Sequence, residues 1–71
     1  MISKYLQVRF GTLAVEKSII TPRQLGKAIN IQMNEDLKGI KHRRLGEILV
    51  GLEYMTHKQV EEVLEAMSDI D

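Results

Sequence analysis

The 71 residues, 8.1 kDa, suffice for one small domain; 44% are apolar but none is Trp, one is Phe and two are Tyr, so its core must be aliphatic. Ten basic and ten acidic residues cancel, which argues against a general nucleic-acid binder, and the absence of Cys excludes disulfide scaffolds, thiol catalysis and cysteine zinc sites. No apolar run nears the roughly 20 residues of a membrane span and the start at Met1 lacks a signal-peptide stretch, so a cytoplasmic protein without membrane insertion is expected.

Leu6, Phe10, Leu13 and Ala14 fall at i, i+4, i+7 and i+8 and predict a first helix over residues 5–17. Ser18, Ile19 and Ile20 form a connector. Thr21-Pro22-Arg23-Gln24 is then a strong start signal: Thr caps, Pro at the first helical position gives up only an unpaired amide, and Gln24 completes a capping box. Leu25, Ala28, Ile29 and Met33 continue that helix over 22–34, and Glu35 to Lys41, containing Gly39, reads as a linker. Leu45, Ile48, Leu49 and Leu52 predict a third helix over 43–52. Thr56-His57-Lys58-Gln59 is a second capping box, followed by the stripe Val60, Val63, Leu64 and Met67 in a helix over 57–68. Met33, Met55 and Met67 read as fillers of irregular core gaps. No strand-like alternation occurs, and the fold class is all-α.

The chain also repeats itself. At an offset of 35 residues, Arg9 to Gln32 aligns with Arg44 to Met67, with Arg9/Arg44, Gly11/Gly46, Val15/Val50, Thr21/Thr56 and Gln24/Gln59 identical. Apolar character is kept at Phe10/Leu45, Leu13/Ile48, Ala14/Leu49, Ile20/Met55, Leu25/Val60, Ala28/Val63 and Ile29/Leu64. The expectation is four short helices as two repeated helix pairs packed together. Each apolar stripe is too narrow to be hidden within one pair, so the units must stack. A protein partner or self-association into a homo-oligomer would add to a core that contributes only about 3–5 kcal/mol at this size.

The zero net charge conceals a polar molecule. Residues 1–44 hold nine Lys/Arg and three acids, whereas residues 45–71 hold one Lys and seven acids. Lys38, Lys41, Arg43 and Arg44 form a basic patch beside the start of the third helix, where cations oppose the helix dipole and an anion would relieve them. The plainer alternative is that the two charged regions solvate and pair with each other. His42 and His57 have no convergent ligands, the three serines no nucleophile context, and no Gly-rich phosphate loop exists. No enzyme activity, metal or cofactor is expected. A helix-turn-helix reading is the alternative: residues 20–28 resemble a recognition helix, with Arg23, Gln24, Lys27 and Asn30 as base readers. Glu61 and Glu62 on the equivalent face of the second unit would repel phosphates, and nucleic acid is not expected as a partner.

The recurring Arg-apolar-Gly, helix, connector and Thr-capped second helix resembles the N-terminal domain of the type II secretion and type IV pilus assembly ATPases. Arg9-Phe10-Gly11, Ala14, Leu25, Ile29 and Gln32 match the first of that family's tandem motifs, and Arg44-Leu45-Gly46, Leu49, Val60 and Leu64 the second. Where the family has a mid-motif Gly this chain has Ser18 and Glu53, and its second copy closes on Met67 in place of Gln. The resemblance implies a bacterial, non-catalytic docking or regulatory module. It also implies cyclic di-GMP as a ligand, held by Arg9, Gly11, Gln32, Arg44 and Gly46: arginine forks to phosphate or guanine edges, glycine gives close backbone approach, and Gln32 orients.

Overall fold

The computed structural model describes residues 4–40 and 43–70, with side chains from 7–40 and 43–68. Four helices run in order: α1 Lys4–Glu16, α2 Pro22–Leu37, α3 Leu45–Gly51 and α4 His57–Ile70, and the described residues contain no strand. The fold is all-α. Lys41 and His42 lie outside the described residues, as does the side chain of Leu6.

The duplication reappears as duplicated backbone geometry. Both α1 and α3 end in a turn with one residue in the left-handed region, Ser18 at φ 62° and Glu53 at φ 64°, 35 positions apart. In the first turn the Ser18 amide donates to the Val15 carbonyl (2.9 Å) and the Ile19 amide to Ala14 (3.0 Å). In the second the Glu53 amide donates to Val50 (2.9 Å) and the Tyr54 amide to Leu49 (3.0 Å), the same double closure. The helices that follow share one start. Thr21 Oγ1 accepts from the Gln24 amide (3.1 Å) while Gln24 Oε1 accepts from the Thr21 amide (2.9 Å), and Thr56 with Gln59 repeats both bonds at the same lengths.

Helix α1 lies one residue earlier than expected, α3 ends one residue early and α4 runs two residues further, and two other boundaries differ in ways that bear on the site. Helix α2 continues through Glu35, Asp36 and Leu37, since nothing breaks it before Gly39, whose φ of 73° forms the closing turn with the Ile40 amide on the Glu35 carbonyl (3.0 Å). Helix α3 starts two residues late. Arg44 is extended and outside the helix, its amide held by Glu47 Oε1 at 2.9 Å.

The core follows the repeat. Phe10 and Leu45, Ala14 and Leu49, Ile20 and Met55, and Ala28 and Val63 are all buried, each pair at the 35-residue offset, with Ile48 as the ninth member. The helices interleave: the principal contacts join α1 to α4 and α3 to α2, so the first helix of each unit packs on the second helix of the other. At the centre α1 crosses α3. That arrangement hides four narrow stripes at once, which neither helix pair could do by itself. Two apolar residues read as core are not core: Met33 and Leu64 are 56% and 50% exposed. Met33 sits on the side of α2 that turns away from α3, and in α4 Val63 takes the fully buried place. Met55 is buried and Met67 packs against the core.

Candidate functional site

The two Arg-apolar-Gly segments lie back to back where α1 and α3 cross. A Cβ on Gly11 would stand 2.5 Å from Leu25 Cδ1 and 3.2 Å from Leu45 Cδ2; one on Gly46 would stand 3.3 Å from Phe10 Cζ and 3.4 Å from Val60 Cγ1. Leu25 and Val60 are repeat equivalents, as are Leu45 and Phe10. The contacts are therefore reciprocal, and an approximate twofold axis relates the segments. A Cβ at Gly11 would force the Leu25 side chain to shift, whereas one at Gly46 would need Phe10 to give by only a few tenths of an ångström. At both glycines the backbone closely approaches side chains of the protein's own core.

Arg9 is half-buried on α1 and Arg44 exposed at the foot of α3, and no hydrogen bond or ion pair joins either guanidinium to another described residue. Gln32, expected to orient a ligand, makes hydrogen bonds within the fold. Its Nε2 donates to the Arg43 carbonyl (2.9 Å) and to Gln7 Oε1, and that same oxygen accepts from the Leu45 amide (3.2 Å). Gln7 thereby supplies an acceptor to one of the amides that the first turn of α3 leaves without a helical partner. The sequence offered no signal for Gln7, because its partner is 38 residues away.

The basic patch is interrupted. Arg43 makes a two-pronged ion pair with Glu35, Nε to Oε1 at 3.0 Å and the terminal nitrogen to Oε2 at 2.5 Å. Hydrogen bonding to Glu35 raises the Arg43 pKa above its ordinary value, so the group stays charged throughout the working pH range. The reason lies in the length of α2: with Glu35 in the helix rather than in a linker, its carboxylate meets the residue that precedes Arg44. The anion that Arg43 was expected to seek from outside comes from within the chain. Lys38 and Arg44 are exposed, and Lys41 lies outside the described residues. Gln24, read as a base contact in the helix-turn-helix alternative, holds the Thr21 amide in the capping box; Arg23, Lys27 and Asn30 are exposed.

The polar groups that converge, Gln7, Gln32, Glu35 and Arg43, join α1 and α2 to the start of α3. Among the described residues no three His, Cys, Asp or Glu side chains cluster as metal ligands, and no helix is long and apolar enough to cross a membrane. Comparison with protein-family models, with curated proteins and with solved structures yields no match for this chain.

Proposed function

We propose that the chain is a non-catalytic docking module of the kind formed by the secretion-ATPase N-terminal domains, acting through protein–protein contacts. The observation that carries this reading is the reciprocal packing of Phe10-Gly11 against Leu45-Gly46 about the approximate twofold. It accounts for the duplicated motif as the frame of a domain. Catalysis requires an acid, base or nucleophile held ready for a substrate; the polar side chains that converge among the described residues join α1 and α2 to the start of α3.

A second reading is favoured by one feature, the repeated pair Arg9 and Arg44. Cyclic di-GMP carries two guanines and two phosphates about a twofold, which suits two equivalent guanidinium groups. An amide NMR titration of the labelled chain with cyclic di-GMP separates the readings. We expect no saturable shifts at millimolar ligand. Saturable shifts centred on Arg9, Gly11, Arg44 and Gly46 would make the protein a messenger sensor. Titration with duplex DNA at low salt tests the helix-turn-helix alternative, and saturable shifts on α2 that vanish as salt is added would replace the docking reading.

A further inference from the structure

The duplication leaves the molecule with two equivalent outer helix faces of opposite sign. On α2 the exposed face carries Arg23 and Lys27, with Lys38 just past its end and Asp36 as the helix's one exposed acid. On α4 the equivalent face carries Glu61, Glu62 and Glu65, with Lys58 at its start. Lys27 and Glu62 occupy the same place in their repeats, and the charge has changed sign between them. Each face also keeps apolar surface uncovered: Leu37 is 82% exposed beside Met33 and Ile40 (56% and 53%), and Leu64, flanked by the glutamates, is 50% exposed. Since α2 turns its inner side to α3 and α4 its inner side to α1, neither face is covered by another described helix.

We propose that these faces are the two halves of one contact between copies of this chain: α4 of a second copy docks on α2. The choice of occupant follows from charge. A basic helix would be repelled by Arg23, Lys27 and Lys38, whereas α4 offers glutamates around a leucine. Charge complementarity selects the partner and its orientation, while Leu64 against Leu37, Met33 and Ile40 supplies the adhesion. So few apolar side chains make a contact smaller than a permanent interface, so the association is reversible and grows with concentration. The two faces differ, so the contact is heterologous and either closes into a small ring or continues as a chain.

Sedimentation velocity of the full chain, from about 10 μM to about 1 mM and at low and high salt, reads this directly. The average mass rises with concentration at low salt and falls back when salt is added. Arg23→Glu/Lys27→Glu makes both faces acidic and Glu61→Lys/Glu62→Lys makes both basic, so each variant is monomeric alone. An equimolar mixture of the two associates again, which a merely unfolded variant could not do, and circular dichroism checks the helices of each. Leu37→Ser weakens the wild-type association without touching a charge. Wild-type protein that stays monomeric at about 1 mM in low salt overturns the proposal, as does association that survives both reversals or a mixture no better than its parts.

Discussion

At two places the backbone adopts a conformation that its side chain resists. Ser18 and Glu53 sit at φ 62° and 64°, where an L-residue pays about 1–2 kcal/mol and glycine does not, although glycine loses about 0.5–1 kcal/mol of chain entropy on folding. Ser18→Gly and Glu53→Gly should therefore each stabilise the domain by roughly 0.5–1 kcal/mol, and the gains should add because the turns belong to different helices. Urea denaturation measures both; a loss at either position would mean that its side chain has a role the backbone geometry does not account for. Gly11 is the reverse case. With Leu25 only 2.5 Å from an added Cβ, Gly11→Ala forces repacking at a cost on the order of 1–3 kcal/mol, offset in part by a helix-propensity gain of up to about 1 kcal/mol, for a net loss. Gly46→Ala meets Phe10 at 3.3 Å and gains helix propensity of up to about 1 kcal/mol, so its net effect should be the smaller. The glycines of the motif were legible in the sequence as constrained positions. What constrains them was not, because Leu25 and Leu45 reach Gly11 only after the helices have crossed.

Helix α3 has seven residues, too few to be stable alone, and depends on what holds its ends. At its C-terminal end the Glu53 turn closes it; at its start Glu47 holds the Arg44 amide and Gln7 the Leu45 amide. Gln7→Ala should accelerate hydrogen exchange at the Leu45 amide ahead of any change in the α1 core amides. Equal exchange in mutant and parent would show that another acceptor serves that amide. The two capping boxes invite a direct comparison. Thr21→Ala and Thr56→Ala remove identical bonds and should each cost about 1 kcal/mol in urea denaturation, with α2 and α4 responding alike. A marked inequality would break the equivalence of the two units. Those caps were readable from four consecutive residues, since capping is local chemistry. The true length of α2 was not, because Glu35 to Leu37 have no breaker among them and only the turn at Gly39 decides where the helix stops. The Glu35–Arg43 pair, and with it the loss of a continuous basic patch, follows from that one boundary.

For the whole molecule the decisive property is that two units share one core. Leu49 is fully buried, and Leu49→Ala should cost about 2–5 kcal/mol, comparable to the roughly 3–5 kcal/mol that a core of this size contributes. Thermal unfolding followed by circular dichroism should show the variant largely unfolded at room temperature; a cooperative melt near that of the parent would show that the cavity collapses. The 35-residue period announced the symmetric core, since Phe10/Leu45, Ala14/Leu49, Ile20/Met55 and Ala28/Val63 are all aligned by it. Which helix would lie on which could not be read, because equally narrow stripes fit several pairings. The pairing chosen sets the order of events at synthesis. The first helix made, α1, finds its principal partner in α4, the last of the four to be made. A nascent chain therefore cannot complete its first helix pair and wait: α2 can meet α3 once Gly51 has left the ribosome, but α1 stays short of its principal partner until the residues from His57 onward have followed.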